Sequence, residues 1–324
     1  MNKICYGCGA KLQSVDKDKK GYIPQNKVND ARYCMRCFRM MHYGEQQEVD
    51  TPKDAKEIIR KVNNDNKFVI FLCDYLNINE YVMNLFKSIK GNKLLVVNKC
   101  ELLPDNITYK MVHNYIKDIY HISADIKIKG GTVNHGVKSI YRYLEDNRIH
   151  EAYLLGISNS GKSTFINDMA TILESKINRI NTNSHANTTL DFMRVKLSNN
   201  LTLIDSPGFI IPNSINNDVT NKDIKMLSYN LKDNETIQLL NNKYFINISD
   251  GSPVTFYTNL DNNNLIKKYY KEVKLPSTIE IDDNQDLIIY GIGIVRFKNK
   301  TTIKTNIPKE SMEIRQSIFG GYYE

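Results

Sequence analysis

At 324 residues, with 41% apolar and 25% charged side chains, the chain is long enough for two or three domains and too apolar for wholesale disorder. No apolar run approaches the roughly 20 residues that cross a bilayer, and MNKICYGCGAKL lacks the apolar core of a secretory signal, so a cytoplasmic protein without membrane or secreted partners is expected. The net charge of +8 favours an anionic partner, but it divides as +3 over residues 1–50, +5 over 51–215 and zero over 216–324, leaving the last third only a local patch for nucleic acid.

Four of the six cysteines form two CxxC pairs, Cys5 with Cys8 and Cys34 with Cys37, while Cys73 and Cys100 sit singly in apolar runs. In a reducing compartment that pattern favours a metal over bridges, and four thiolates suit a closed, tetrahedral structural Zn2+ site. Residues 1–50 are too few to build a core, so metal binding should supply their folding energy. His42 is a spare ligand, but four cysteines suffice, which favours a structural or surface role for it. Arg32, Arg36 and Arg39 cluster by the second knuckle. Contact with RNA phosphate and a solvated face are both open readings.

A regular alternation follows. Lys67–Asp74 reads as a buried strand, Glu80–Lys90 as a helix, Lys93–Asn98 as a strand and Asn106–Asp118 as a helix. Ile119–Ser123 (IYHIS) reads as a strand, Val133–Asn147 as a helix, Ala152–Gly156 as a strand and Lys162–Glu174 as a helix. Asp191–Leu197 and Leu201–Asp205 look like a hairpin around Ser198-Asn199-Asn200. The expected fold class is α/β, a mostly parallel sheet covered on both faces. After Pro212 short strand-like runs separated by Asn-rich turns (Tyr244–Ile248, Pro253–Tyr257, Leu287–Tyr290, Gly293–Phe297) indicate a β-rich C-terminal domain, with no internal repeat visible.

Gly156-Ile157-Ser158-Asn159-Ser160-Gly161-Lys162-Ser163 matches GxxxxGK[ST] between a strand and a helix, the context in which that motif cradles phosphates on backbone N–H groups. Lys162 is expected at the β- and γ-phosphates, Ser163 on Mg2+, and Gly156, Ser160, Gly161 and Thr164 around the phosphates. The motif alone does not choose between ATP and GTP.

Asn98-Lys99-Cys100-Glu101, after a strand, resembles the NKxD element of GTPases, whose carboxylate accepts hydrogens from guanine N1 and N2. Glu101 replaces the usual Asp, and its extra methylene moves the carboxylate outward. Ser123-Ala124 after IYHIS stands where an SA element contacts guanine O6. Downstream, Asn187-Thr188-Thr189-Leu190-Asp191 precedes a strand where a Mg2+-binding Thr is usual. Thr189 is the favoured candidate, with Thr188 and a plain Thr-rich turn as alternatives. Asp205-Ser206-Pro207-Gly208 at a strand end fits DxxG, with Asp205 holding Mg2+ through water and the Gly208 N–H sensing the γ-phosphate.

In ordinary GTPases the phosphate loop comes first and NKxD last; here the order is rotated, which is easy where domain termini lie close together. A double CxxC module before such a domain resembles the circularly permuted YqeH-type GTPases, ribosome-assembly factors. The resemblance is carried by CYGCGAKLQ, RYCMRCFRMMHY, NKCELLP, GISNSGKSTFIN, NTTLD and DSPG, over about residues 1–215. Departures are Glu101, Ser206 for the more usual Thr, and Ala186-Asn187 where Pro-Gly is common. The resemblance implies a zinc module at 1–50, a permuted GTPase domain at 51–215 that binds and hydrolyses GTP to GDP, and a domain at 216–324 contacting ribosomal RNA or an assembling small ribosomal subunit.

Many GTPases place a water-orienting Gln just after DxxG. This chain has Phe209, which cannot position water, so packing is its expected role, and either the catalytic group comes from elsewhere or intrinsic turnover is slow. Asn159 resembles the Asn of potassium-dependent GTPases, where a bound K+ supplies charge at the transferring phosphoryl group; a loop Asn bonding its own backbone is the alternative. Arg296-Phe297-Lys298-Asn299-Lys300 and Lys267-Lys268-Tyr269-Tyr270 mix cations with aromatics as RNA-contacting strands do, or expose one basic edge of a β domain. An NTPase of relaxed base specificity and a non-hydrolysing nucleotide-sensing scaffold are the competing functions. Oligomeric state is not legible.

Overall fold

The computed structural model describes residues 3–5, 10–16, 19, 21–27, 31–35, 55–100, 103–104, 106–129, 133–173, 178–181, 192–216, 224–260, 267–269 and 275–320. Its contacts divide into two compact units. Among the described residues no helix is long and apolar enough to cross a membrane.

The first unit comprises Met1–Cys73, Leu85–Asn98 and Ala124–Ile210. Its frame is a seven-stranded sheet of β1 (Phe68–Asp74), β2 (Lys93–Asn98), β3 (Asp125–Ile128), β4 (Glu151–Gly156), β5 (Asn178–Asn181), β6 (Met193–Lys196) and β7 (Thr202–Asp205). The order across the sheet is β3-β2-β1-β4-β7-β6-β5. β2 with β3, β1 with β4 and β4 with β7 are parallel; β7, β6 and β5 are antiparallel. The phosphate-loop strand β4 is thus central in space although three strands precede it in sequence, which is the permutation seen directly.

Helices α1 (Ala55–Asp65), α2 (Glu80–Ser88), α3 (Tyr109–Tyr120), α4 (Val133–Asp146) and α5 (Lys162–Ile172) are the longer connections. Ile70, Leu72, Leu94, Val96, Ala152 and Leu154 of the strands pack with Val137, Ile140 and Leu144 of α4 and Phe165, Ile166 and Met169 of α5. The spacing of the α4 residues puts them on one helix face. Each such side chain contributes about 1.5–3 kcal/mol on burial.

IYHIS is not a strand. α3 runs through Tyr120, His121 caps it in the left-handed region at φ +51°, and the strand begins only at Asp125. Tyr115, Ile116 and Tyr120, all buried, continue the apolar face of the helix, so helical period won over β propensity. The expected hairpin is present as β6 and β7, and the polar run Asn178–Asn181 adds an outer strand the sequence did not announce.

The second unit comprises Asp74–Asn84, Lys99–Ser123 and Ile211–Glu324. Its β-rich part contains β8 (Lys225–Leu231), β9 (Thr236–Leu239), β10 (Tyr244–Ile248), β11 (Ser252–Thr258), β12 (Lys267–Tyr269), β13 (Ser277–Ile281), β14 (Gln285–Ile289), β15 (Gly293–Phe297), β16 (Thr301–Thr305) and β17 (Met312–Gln316). Two five-stranded sheets, β12-β9-β10-β16-β13 and β17-β14-β15-β11-β8, share one core of Ile237, Ile246, Ile248 and Ile303 with Phe256, Leu287, Val295 and Phe297.

Exchanging β8–β12 with β13–β17 in order converts one strand order into the other. The domain is therefore an internal repeat. Local chemistry repeats with it. The Thr258 hydroxyl donates to the Ile292 carbonyl and accepts from the Leu260 N–H; the Thr305 hydroxyl donates to the Phe245 carbonyl and accepts from the Ile307 N–H. Glu235 accepts from the Lys232 N–H as Gln285 accepts from the Asp282 N–H.

Candidate functional site

β4 delivers the chain into a phosphate-loop turn through Asn159 (φ +62°) and Gly161 (φ +94°), and α5 begins at Lys162. Lys162 is 4% exposed, and its ammonium donates to the carbonyls of Gly156 and Ile157 at 3.2 and 3.4 Å. Burial pushes this ammonium below the ordinary lysine range, with the Asp205 carboxylate opposing the shift. Ser160 is fully buried, and its hydroxyl has no hydrogen-bond partner among the described residues. Ser163 is half-buried and Thr164 exposed. A buried cation and an orphaned hydroxyl at a helix N-terminus are chemistry that a phosphate satisfies.

β2 ends at Asn98, which is 4% exposed and donates its side-chain amide to the Ser160 carbonyl at 2.9 Å. A Cβ on Gly161 would stand 2.3 Å from that amide nitrogen, so glycine is required there by close approach as well as by φ. Lys99 has φ +62°, and its ammonium stands 3.7 Å from the Asp74 carboxylate. Glu101 lies outside the described residues.

Asp205 ends β7 and is 8% exposed. After it, the N–H and hydroxyl of Ser206 both donate to the Leu154 carbonyl. The Ser158 N–H donates to the Phe209 carbonyl at 2.7 Å and the Phe209 N–H to the Gly156 carbonyl at 3.1 Å, a parallel bridge laying the DxxG segment along the phosphate loop. A Cβ on Gly208 would meet the Ser158 hydroxyl at 2.7 Å. Phe209 is fully buried, with its ring 6.1 Å from that of Phe71. Ala186, Asn187, Thr188 and Thr189 lie outside the described residues.

Ser123-Ala124 does not join these residues. β2 and β3 are parallel, with Leu94 opposite Asp125 and Val97 opposite Ile128. Ala124 therefore sits at the entry of β3, about 16 Å along the sheet from the end where Asn98 lies. Ligands bind parallel sheets at the carboxyl ends of the strands. The residue in that position is Lys129, whose N–H donates to the Val97 carbonyl at 2.7 Å and whose ammonium pairs with Asp168 of α5 at 3.1 Å. The signal that finds it is the position of the strand, which the apolar helix end concealed.

The pattern of the RsgA GTPase family matches residues 46–215, more than half of the chain. The chain belongs to the RsgA GTPase family. A Bacillus subtilis (strain 168) protein named Uncharacterized protein YqeH is 27% identical over 335 aligned residues, covering 92% of this chain and 89% of its own. NO-associated protein 1, chloroplastic/mitochondrial, of Arabidopsis thaliana is 23% identical over 50% of this chain, and mouse Nitric oxide-associated protein 1 is 22% identical over 53%. The chain spans about a third of the length of those two, 34% and 32%. This RsgA-family member is a GTPase of the circularly permuted, YqeH type. It hydrolyses GTP to GDP and phosphate, with Mg2+ as the family's ion.

Two of the four CxxC cysteines can be followed. Cys5 and Cys34 are each 1% exposed, pack with Ile23, and the Cys34 N–H donates to the Cys5 sulfur at 3.2 Å. Amide-to-sulfur hydrogen bonding suits thiolate ligands, so these two fit half of a four-cysteine site. Cys8, Cys37, His42, Arg36 and Arg39 lie outside the described residues, and no group of three or more His, Cys, Asp or Glu side chains gathers among the described ones.

In the C-terminal domain, Arg296 is committed internally. Its guanidinium donates to the Ser317 hydroxyl at 2.7 Å and lies over the Phe319 ring at 5.2 Å. Lys300 pairs with Asp282 at 2.9 Å. Lys267–Tyr269 forms edge strand β12, paired with β9, and Tyr270 lies outside the described residues.

Proposed function

We propose that the chain is a GTP-driven switch in assembly of the small ribosomal subunit. A zinc module at 1–50 precedes the permuted GTPase domain at 51–215, and the domain at 216–324 responds to the nucleotide state and meets ribosomal RNA. The nucleotide half of this reading is carried by the hydrogen bond between Asn98 and Ser160, which links the base-reading and phosphate-binding elements. The ribosomal half is supported by the YqeH-type resemblance.

In this reading Lys162 binds the β- and γ-phosphates, flanked by Gly156, Ser160, Gly161 and Thr164, while Ser163, Thr189 and Asp205 hold Mg2+. When bound, that ion neutralises charge on the β- and γ-oxygens. Asn98, Lys99 and Glu101 read the guanine. The O6 contact falls to Lys129, at the carboxyl end of β3, not to Ser123-Ala124. The Gly208 N–H senses the γ-phosphate. Phe209, sealed against Phe71, offers no group to orient water, so unassisted turnover is slow. Asn159, exposed in a left-handed conformation, supplies the K+ ligand.

The test is nucleotide titration followed by turnover measurement. GTP and GDP are expected to bind far tighter than ATP, K+ to outperform Na+, and assembling small subunits to raise turnover. Equal binding of ATP and GTP would overturn the guanine reading. Equal rates in K+ and Na+ would remove the role of Asn159, and turnover indifferent to subunits would remove the ribosomal target.

A further inference from the structure

The turn after β1 belongs to none of the nucleotide motifs, yet buried polar contacts of the second unit converge on it. Asp74, the last residue of β1, is 3% exposed. One carboxylate oxygen accepts the backbone and side-chain N–H groups of Asn77 at 3.2 and 2.8 Å, capping the short turn Tyr75–Asn77. The other stands 3.7 Å from the Lys99 ammonium. Lys99 keeps φ at +62°, a conformation a lysine retains only where its surroundings hold it.

Beyond the turn, the Ile78 carbonyl accepts hydrogen bonds from the Tyr120 hydroxyl at 3.2 Å and from the Arg315 guanidinium. Arg315 is 6% exposed and lies over the Tyr115 ring at 5.5 Å, and the Tyr115 hydroxyl donates to the Gln316 carbonyl at 2.7 Å. Next to it, the Glu313 carboxylate accepts the Glu80 N–H at 2.9 Å. The turn is therefore fastened both to α3, which follows the Asn98–Glu101 element, and to β17. Asp74 cannot leave Lys99 without breaking its partly buried hydrogen bonds to Asn77, which are expensive to leave unmade.

We infer that Asp74 is a positioning residue for Lys99, holding the lysine of the base-reading element in place before nucleotide arrives, and that Arg315 steadies the turn that carries Asp74. This rests on the guanine-site reading above, in which Lys99 contributes to nucleotide binding. A long, flexible cation held ready loses less freedom on binding, and that gain appears as affinity.

The test titrates the full chain with fluorescent GDP and ADP, with thermal melts alongside, for wild type, Asp74→Asn, Lys99→Met and the double variant. Asn keeps an oxygen for Asn77 but removes the charge facing Lys99. Asp74→Asn is expected to weaken GDP about tenfold, the scale of one charge-assisted contact, with ADP unchanged. The double variant should bind no more weakly than Lys99→Met alone, because Asp74 acts through Lys99. Additive losses, an unaffected Asp74→Asn or an indifferent Lys99→Met would each overturn the inference. A wild type that fails to prefer GDP over ADP would instead overturn the guanine-site reading. Arg315→Lys, which keeps the charge but not the planar fork, should weaken GDP less than Asp74→Asn does. A lower melting temperature with GDP affinity unchanged would make Arg315 merely structural.

Discussion

Asn98 and Ser160 are 62 residues apart in the chain and joined by a 2.9 Å hydrogen bond from the side-chain amide of one to the backbone carbonyl of the other. The bond leaves the end of β2 and enters the turn after β4, so two motifs that the permutation separates in the opposite of the usual order are locked in register. Asn98→Ala should lower stability by about 1–3 kcal/mol, because the buried Ser160 carbonyl loses its donor, and weaken GTP at least tenfold. Gly161→Ala should cost more, since the added methyl meets the Asn98 amide at 2.3 Å. Calorimetric titration with a thermal melt on each variant checks both.

Lys162 sets function against stability. Its ammonium is desolvated, and its folded-state affinity for a proton is depressed below that of the unfolded chain, whose ordinary value is 10.5. The unfolded chain therefore binds more protons between the lowered value and 10.5, and stability of the nucleotide-free protein should rise with pH across that window. Below the lowered value the full penalty persists. Lys162→Met should remove this slope, leave the nucleotide-free protein at least as stable at neutral pH, and abolish the rise in melting temperature that GDP gives wild type.

Phe209 occupies the position where a water-orienting glutamine is usual, but its main chain is hydrogen bonded to the phosphate loop and its ring is sealed against Phe71. Phe209→Gln should therefore not accelerate single-turnover hydrolysis, because the new amide replaces a packed ring. Phe209→Ala should cost about 3–5 kcal/mol in unfolding free energy, read from denaturant titration.

For the proposed zinc module the expected outcome is one equivalent of Zn2+ per chain by elemental analysis. Cys5→Ser or Cys34→Ser should reduce it, and a strong chelator should loosen the N-terminal segment to proteolysis while leaving nucleotide affinity intact. Full resistance to the chelator would rule out a metal-dependent fold there.

The motif-bearing strands were legible because buried parallel strands are nearly pure apolar runs: FVIFLC, LLVV and AYLL leave little choice. The glycines and Lys162 followed from their position after such a run. Asp125–Ile128 was not legible, since a short edge strand of sequence DIKI buries only Ile126 outright. Its neighbour IYHIS looked more strand-like while completing the apolar face of α3. That single displacement put the expected O6 contact at Ser123-Ala124, at the entry of β3, rather than at its carboxyl end, as proposed above. Asp74 and Arg315 could not be found from spacing, because they meet their partners only once the distant segments 74–84, 99–123 and 211–324 are gathered into one unit. The repeat escaped because the two halves share hydrogen-bond geometry and strand order but little residue identity.

That repeat has a consequence for how the C-terminal domain holds together. The first sheet draws β9, β10 and β12 from one half and β13 and β16 from the other, and the second sheet does the reverse. Neither half owns a finished layer, so deleting either one dismantles both and the domain must melt as a single cooperative block. Two loose copies of one half, trading strands, would rebuild the same order, so the domain has the architecture of a swapped dimer written along one polypeptide.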